Sequence, residues 1–364
     1  MAEVLLVGLS ARALSQSARA AGYAPLAADL FCDLDTREAS EACIRIESDL
    51  ERGIEWKPLI TALEALTAGR KPIGMAYCSG FEDRPEFLDR LQERWPLLGN
   101  RGDVVARMKD PARLAELCDA GGVPHPRWSN VRQGERWISK RVGGAGGSHV
   151  AFREGRSEGR YWQERVHGSP VSALVLGASD HAMVLGFSDQ WSDPLPSAPY
   201  RYGGAVRPAA LSAEVETRLA HAAVAIAVSG GLRGLNSVDF LVGAHGWHLV
   251  DVNPRSGTTL DIFRPAAKSL FSLHVDACVG TLPAEPPKFD GAAAAARIVY
   301  ARQSVTSVPA LDWPDWTADR QPPGTAIRAG DPVCTVLAKV ENPAEARRLV
   351  AARGDEIMAR LGAD

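Results

Sequence analysis

Two aspartates in the second half of the chain, Asp239 and Asp251, are spaced so that they could bind a metal ion. Each lies in an apolar run of strand-forming residues, and the glycine-rich turn between the runs predicts a β-hairpin. A three-residue loop at 244–246 would place Asp239 directly opposite Asp251, and the same register would place Ser237 opposite Asn253. Facing carboxylates repel each other unless a cation lies between them. The pattern therefore predicts a Mg²⁺ site, because this hard ion prefers oxygen ligands.

Other arrangements of this hairpin stay open. A four-residue loop would place Asp239 and Asp251 on opposite faces of the strand pair. Both aspartates could also point to solvent, in which case the Asn253-Pro254 pair would be only a turn.

A glycine-rich segment at 143–149 could hold an anion such as a phosphate. Four of the five residues 143–147 are glycine, and such a backbone can turn its N–H groups toward an anion. Lys140, in the strand-like run 137–142, would add a positive charge to the same site. The segment is equally typical of a flexible hairpin tip. Lys109, in the sequence RMKDP, is by itself typical of a solvated helix residue.

Alternating strand and helix signals over residues 1–100 indicate a parallel sheet with helical crossovers. Strands are predicted at 4–8, 25–30 and 72–77. The first turn, residues 8–12, lacks the G-x-G-x-x-G spacing of dinucleotide-binding proteins, and the chain contains no G-x-x-x-x-G-K-[ST] phosphate loop.

The remaining chain has a different pattern. A helix at 104–120 precedes several short strand signals, and the Pro- and Gly-rich stretch 189–208 is predicted to be a mobile loop. A helix follows at 212–229, residues 283–287 are typical of a linker, and a last helix begins after Asn342.

The composition excludes several classes of protein. Hydrophobic residues make up 46% and charged residues 23% of the 364, as in ordinary globular proteins. The net charge of −3 gives no basic field for nucleic acid. No secretory signal and no membrane-length apolar run is found. Six cysteines without a C-x-x-C pair predict reduced thiols in a cytoplasmic protein.

The order of these motifs resembles the ATP-grasp superfamily, over roughly residues 95–280. The resemblance implies an α/β chain, α+β in parts, with the ATP-grasp fold. Its expected units are an N-terminal βαβ domain at 1–100, a two-lobed ATP-binding domain at 101–285 and a small β-rich C-terminal α/β domain at 286–364.

The resemblance also assigns roles to the residues that match the family's motifs. The expected catalytic residues are Lys140 and Arg255, the latter as a contact to phosphate or acyl phosphate. The expected metal ligands are Asp239, Asp251 and Asn253. The expected ATP-binding residues are Lys109, Lys140, Gly143, Gly144, Gly146, Gly147, Ser148, Gln163, Glu164 and Val166.

Two departures from the family pattern are visible. The family usually has glutamate where this chain has Asp251, which shortens the reach to the metal by one methylene. It often has proline where this chain has Arg141. The segment 329–336 is similar to the C-terminal domain of the biotin-carboxylase-like branch, but an A-M-K-M biotin acceptor motif is absent from the chain.

The function that the resemblance implies is ATP-dependent ligation of a carboxylate to an amine through an acyl phosphate. ADP and phosphate would be released, with one or two Mg²⁺ ions (or Mn²⁺) as cofactors, and coenzyme biosynthesis is one setting for such ligases. The alternatives are a kinase on the same fold and a non-catalytic nucleotide-binding regulatory protein. A homodimer is compatible with the resemblance, and neither nucleic-acid nor membrane partners are expected.

Carboxylate and amine substrates are expected at the ends of the N-terminal strands and in the loop at 189–208, because open α/β sheets bind ligands at strand ends. A paired arginine could hold a substrate carboxylate in two-point contact. Each of these side chains could equally be an ordinary surface residue. The candidates are Ser10, Arg12, Gly80, Glu82, Arg201 and Arg207.

Overall fold

A computed structural model describes residues 1–152 and 159–362 of the chain. The N-terminal part is a parallel sheet with the strand order β3-β2-β1-β4-β5, which confirms the predicted βαβ pattern. Its strands are β1 (Glu3–Val7), β2 (Ala24–Asp29), β3 (Ala42–Arg45), β4 (Met75–Tyr77) and β5 (Leu97–Leu98). Its helices are α1 (Arg12–Ala20), α2 (Leu34–Ala39), α3 (Trp56–Thr67) and α4 (Glu86–Gln92).

Two helices, α5 (Gly102–Lys109) and α6 (Pro111–Ala120), lead into a small antiparallel sheet. Asp110 separates the helices, and its carboxylate accepts hydrogen bonds from the N–H groups of Ala112 and Arg113. This cap fixes Lys109 at the last position of α5. The small sheet, in the order β6-β9-β7-β8, contains β6 (Trp128–Ser129), β7 (Trp137–Arg141), β8 (Val150–Ala151) and β9 (Arg160–Glu164).

The largest sheet is antiparallel, with the strand order β14-β13-β10-β11-β12-β15-β17-β16. Its strands are β10 (Ser169–Ala178), β11 (Ala182–Ser192), β12 (Tyr202–Arg207), β13 (Arg233–Gly243), β14 (Gly246–Asn253), β15 (Ala293–Tyr300), β16 (Thr317–Ala318) and β17 (Pro332–Val340). The accompanying helices are α7 (Ala213–Gly230), α8 (Leu270–Cys278) and α9 (Pro343–Arg360), with a 3-10 turn at Thr258–Asp261.

The stretch 189–208 differs from the predicted mobile loop. Its two ends lie in β11 and β12, and only residues 193–201 connect the strands. Gly204 explains the difference, because a Cβ atom there would lie 2.3 Å from the Trp191 ring. The glycines of this stretch therefore allow close packing within the sheet rather than flexibility.

The C-terminal strands continue the large sheet, because β15 pairs with β12 from Gly204↔Arg297 to Arg207↔Ala294. The small C-terminal domain expected from the sequence thus shares a sheet with the unit before it. The boundaries at residues 100 and 285 stay predictions. No helix in the described part of the chain is both long and apolar enough to cross a membrane.

One hydrophobic core joins the N-terminal sheet to the large sheet. It contains Leu6 of β1 and Leu14 of α1 together with Leu235 of β13 and Phe271 of α8. All four are almost fully buried. This shared core brings the ends of the N-terminal strands toward the β13–β14 hairpin.

We expect Asp110→Ala to lower the free energy of unfolding by about 1 kcal/mol, because two N–H groups of α6 lose their acceptor. Urea denaturation measures this change. Glu116→Ala on the same helix is the control, because its ion pair with Arg113 is 62% exposed and should contribute less than about 0.5 kcal/mol. Equal effects of the two substitutions would contradict the capping role.

Candidate active site

The β13–β14 hairpin places Asp239 opposite Asp251 and Ser237 opposite Asn253, as predicted. The predicted three-residue loop is wrong, because Gly243 pairs with Gly246 and the turn is one residue shorter. A register shift between Asp239 and its neighbour compensates for the shorter turn.

The register shift leaves Val250 as the extra residue on β14, since Asp239 pairs with Asp251 and Phe240 pairs with Leu249. The bulge has a chemical use. The Val250 carbonyl accepts a hydrogen bond of 3.0 Å from the Lys140 ammonium. The irregularity that keeps the two aspartates face to face therefore also anchors the lysine of the glycine loop.

Lys109 binds Asp251 and Asn253. Its ammonium donates to both Asp251 carboxylate oxygens at 3.0 Å and to Asn253 Oδ1 at 3.0 Å. The Asn253 Nδ2 group donates to Asp239 Oδ2 at 2.9 Å, and Ser172 Oγ donates to Asp239 Oδ1 at 2.6 Å. Every polar atom of the Asn253 side chain is thereby bound to the cluster. The Asp251 side chain keeps 22% of its surface exposed, so the cluster opens on a cleft.

The two carboxylates have opposite pKa shifts. Burial, and then the charge of Asp251, raises the pKa of Asp239 to about 6. Burial also acts to raise the pKa of Asp251, but the charges of Lys109 and Lys140 outweigh it and the pKa falls below its usual value. Asp251 is therefore the firmly ionised member of the pair, while at Asp239 the charges of Lys109 and Arg255 do not outweigh burial and the neighbouring carboxylate.

Lys140 is buried, and its ammonium contacts three groups. Besides the Val250 carbonyl it donates to Gln163 Oε1 at 3.3 Å, and it lies 5.9 Å from the centre of the Tyr161 ring. Burial acts to lower the pKa of Lys140, but Tyr161 and Asp251 outweigh it and the pKa is raised. The lysine is a permanent positive charge beside the acidic pair.

Arg255 follows the hairpin, and its side chain is bound by Glu82 of the N-terminal part of the chain. Its Nε donates to Glu82 Oε1 at 2.7 Å, and both side chains are buried. The other Glu82 oxygen accepts hydrogen bonds from the N–H groups of Gly80 and Phe81 at 2.7 and 3.0 Å. Arg255 also donates to Asn253 Oδ1 at 3.2 Å, which links it to the cluster. Glu82 and Gly80 therefore position Arg255.

The glycine loop closes against two neighbouring segments. A Cβ atom on Gly147 would lie 1.8 Å from the Tyr200 carbonyl oxygen, and one on Gly143 would lie 2.4 Å from the Glu82 carbonyl oxygen. The Tyr202 N–H donates to the Gly146 carbonyl at 2.9 Å. Because Gly143, Gly146 and Gly147 all have positive φ, only glycine fits this path without strain.

Comparison with known proteins identifies the central part of the chain. Residues 112–259 match the model of the family described as "ATP-grasp domain". This match covers less than half of the chain. No curated protein matches the sequence of the chain significantly.

Solved structures extend the likeness to nearly the whole chain. Biotin carboxylase from Campylobacter jejuni, solved as a β-γ-ATP complex, is 15% identical with a TM-score of 0.72, over 95% of this chain and 89% of that one. The N5-carboxyaminoimidazole ribonucleotide synthetase of Thermotoga maritima is 12% identical with a TM-score of 0.66, over 98% of both chains.

A third similar structure is the biotin carboxylase domain dimer of Hydrogenobacter thermophilus 2-oxoglutarate carboxylase, in complex with MgADP, ADP and bicarbonate. It is 14% identical with a TM-score of 0.72, over 96% of this chain and 88% of that one. These likenesses show that the chain has the same fold as these structures.

Three of the predicted ATP-binding residues, Gln163, Glu164 and Val166, lie on or just after β9. Gln163 lines a small cavity together with Tyr161, Leu249 and Val250. Glu164 is paired with Arg127 at 2.9 Å, and Val166 is half-buried just beyond the strand. Gln163 is thus the predicted residue that the structure connects directly to Lys140.

Three residues of the site have no counterpart among the sequence predictions. Ser172 and Tyr161 contact Asp239 and Lys140 as described above. His149, directly after the glycine loop, is buried, and a Cβ atom on Gly144 would lie 2.2 Å from its ring. Burial, and then the charge of Lys140, lowers the pKa of His149 to about 3, so the ring is neutral. The sequence feature that could have indicated a role for His149 is its position just after the glycines. Ser148 is exposed and its hydroxyl turns back toward the Ala145 carbonyl at 3.5 Å.

The predicted substrate-binding arginines have other partners. Arg12 forms ion pairs with Asp261 and Asp319, and Ser10 Oγ also points to Asp319 at 3.4 Å. Neither aspartate is near Arg12 in sequence, so the sequence alone does not reveal these ion pairs, and substrate binding by Arg12 and Ser10 stays a prediction.

The two arginines of the 189–208 stretch also bind the protein itself. Arg201 donates to Asp193 at 2.6 Å and to the Gly330 carbonyl at 2.9 Å. Arg207 donates to the carbonyl groups of Ile262, Asp290 and Gly291. The prediction that these arginines bind a substrate carboxylate finds no support in their contacts.

The oxygen donors of the ATP-grasp domain fit a Mg²⁺ ion that shares its ligands with a phosphate group. Within the described ranges, no group of three or more His, Cys, Asp or Glu side chains could hold a metal. The two aspartates and the Asn253 amide are the candidate donors. Mg²⁺ is commonly bound by one or two carboxylates plus phosphate and water. Burial, and then the charge of Asp251, raises the pKa of Asp239, so a cation between the two carboxylates would relieve their repulsion.

Asp239→Asn should raise the free energy of unfolding of the nucleotide-free protein at pH 7 by about 3 kcal/mol, because the folded pKa lies above the unfolded one. The wild type should lose this stability as the pH rises from about 4 to about 6, and the variant should not. Urea denaturation across this pH range measures the difference. Asp103→Asn, at a carboxylate that is 70% exposed, is the control. Parallel pH curves for wild type and Asp239→Asn would refute the burial of this charge.

Gly147→Ala should weaken MgATP binding about tenfold, because the new methyl group collides with the Tyr200 carbonyl and the left-handed backbone is strained. Gly146→Ala is the matched control, since its φ is also positive but a Cβ atom there meets nothing within 4 Å. Calorimetric titration with MgATP should show a much smaller loss for Gly146→Ala. Equal losses would mean that strain alone, rather than closure on Tyr200, determines binding.

Proposed function

We propose that the chain is an ATP-dependent ligase that activates a carboxylate as an acyl phosphate and joins it to an amine. ADP and phosphate are the other products. The observation that supports this best is the hydrogen-bonded cluster of Lys109, Asp239, Asp251 and Asn253, with the charge of Lys140 acting on Asp251. The ATP-grasp domain and the fold of known ligases supply the reaction class.

The charges of the cluster explain why the nucleotide would need a metal. Two lysines balance two aspartates, and Arg255 is balanced by Glu82. A triphosphate brings close to four negative charges, and each like-charge contact at about 4 Å costs roughly 4 kcal/mol near a protein surface. Asp239, Asp251 and Asn253 would hold one or two Mg²⁺ ions (or Mn²⁺), which would supply the missing positive charge.

The lysines would position the phosphates. Lys140 is fixed by the bulged Val250 carbonyl and Gln163, so it presents a charge at a defined place without reorganisation. Lys109 bridges Asp251 and Asn253 and would turn its ammonium to the triphosphate when a metal takes its place. Phosphoryl transfer depends mainly on such positioning and charge stabilisation, so no protein nucleophile is required.

Arg255 would contact the phosphoryl group or the carboxylate that receives it. The Arg255 side chain is buried beside the end of strand β4, and Glu82 restricts its orientation. Parallel sheets bind ligands at such strand ends. The complex of the Hydrogenobacter domain with MgADP and bicarbonate supports a nucleotide and a small anion binding together in this fold. A fixed guanidinium can hold two oxygens of such an anion at once.

The closed glycine loop would exclude water from the acyl phosphate. Its contacts with the Tyr200 and Glu82 carbonyl groups seal both sides of the loop. An acyl phosphate hydrolyses readily in water, so exclusion of solvent favours attack by the amine. A homodimer remains a prediction, supported by the dimeric Hydrogenobacter domain.

The test is an ADP-release assay with pooled carboxylates and amines, followed by mass spectrometry of any condensed product. ADP release should depend on both substrates, and Lys140→Ala should lower it about a hundredfold or more, because a pre-positioned charge is lost. Lys57→Ala, at an exposed lysine of α3, is the control and should not change turnover.

Other results of this assay would contradict ligation. A stable phosphorylated acceptor without an amine would indicate a kinase. Wild-type turnover no greater than that of Lys140→Ala, with retained nucleotide binding, would indicate a regulatory protein.

A further inference from the structure

A cavity at the edge of the N-terminal sheet lies outside the site described above. It is open to solvent, has a volume of about 460 Å³, and runs beside the edge strand β3. Cys32, Arg37 and Cys43 all line it. A small solute can therefore reach these side chains, although Cys32 itself is only 5% exposed.

The two cysteines share this cavity with Arg37. Cys43 and Arg37 are the side chains with the largest effect on the pKa of Cys32. The backbone holds Cys32 in place, because its N–H donates to Asp29 Oδ1 at 2.6 Å. Cys32 also has a φ of +45°, a conformation that a residue other than glycine keeps only when its surroundings impose it.

We propose that Cys32 and Cys43 are a redox-active dithiol that hydrogen peroxide closes to a disulfide. The Cys32 thiolate attacks one peroxide oxygen, the O–O bond breaks, and the departing hydroxide takes up a proton to become water. Cys32 is then a sulfenic acid. The Cys43 thiol attacks its sulfur, the S–O bond breaks, and a second water leaves as the S–S bond forms. The two thiols are oxidised by two electrons and the peroxide is reduced.

The roles of the two cysteines follow from their partners. The Cys43 side chain, and after it Arg37, lowers the pKa of Cys32 and outweighs the opposing effect of burial. Cys32 and burial together raise the pKa of Cys43, which keeps its proton. Because the thiolate is the reactive form, Cys32 is the attacking residue and Cys43 the resolving one.

The other four cysteines lack these features and serve as internal controls. All are buried. Burial raises the pKa of Cys78 to about 11 and the pKa values of Cys118 and Cys278 to about 12. Burial also raises the pKa of Cys334. None of them is among the residues that line the cavity.

The proposal is tested with the full-length chain. The protein is treated with a small excess of hydrogen peroxide at pH 7, with and without dimedone, digested without reductant, and mapped by mass spectrometry. We expect a Cys32–Cys43 cross-link that dithiothreitol reverses. In Cys43→Ser, dimedone should label Cys32 at least about tenfold faster than any other cysteine, because only Cys32 carries a stabilised thiolate.

Two controls make the result specific. Cys32→Ser should give neither cross-link nor adduct, and Cys118→Ser should behave as the wild type. The cross-link map of the wild-type protein is obtained without any variant, so it does not require a variant to fold. Stable dimedone labelling of Cys32 in the wild type without a cross-link would refute the pair, and labelling spread over all six cysteines would refute the selectivity. Ligase activity is not part of the test, so the outcome is independent of the proposed function.

Discussion

Repulsion between the carboxylates of Asp239 and Asp251 is the constraint around which the rest of the site is arranged. Two anions that face each other across a hairpin destabilise it unless positive charge is nearby. Lys109 and Lys140 supply that charge from two separate elements, α5 and β7. The pairing draws these elements onto the hairpin, so the fold and the site depend on the same electrostatic balance.

The site also depends on contacts between the N-terminal sheet and the segment after β14. Glu82 binds Arg255, and the Tyr77 hydroxyl donates to the Pro254 carbonyl at 3.2 Å. Asn100 donates to the same carbonyl at 2.9 Å and to Asn236 at 2.7 Å. Several buried hydrogen bonds between separate sheets restrict their relative motion. The N-terminal sheet thereby contributes directly to the orientation of Arg255.

The sequence was sufficient to predict the facing aspartates, the two lysines and the glycine loop, because local alternation and glycine content encode them. It could not show the bulge at Val250. The turn is one residue shorter than predicted and the bulge adds one residue to β14, so Asp239 faces Asp251 in either arrangement. Nor could it show that Arg12 is neutralised by Asp261, 249 positions away. Charge pairing over such separations leaves no local pattern, and for that reason buried structural arginines were predicted to be substrate ligands.

The position of Lys109 bears on the order in which ligands arrive. Its ammonium occupies the space between Asp251 and Asn253, so a free metal ion would have to displace an internal counter-ion while offering the lysine no new anion. A metal that enters already chelated to a triphosphate brings that anion with it. Such an exchange would make the two ligands bind synergistically, with the bare ion held weakly and the metal–nucleotide complex held firmly.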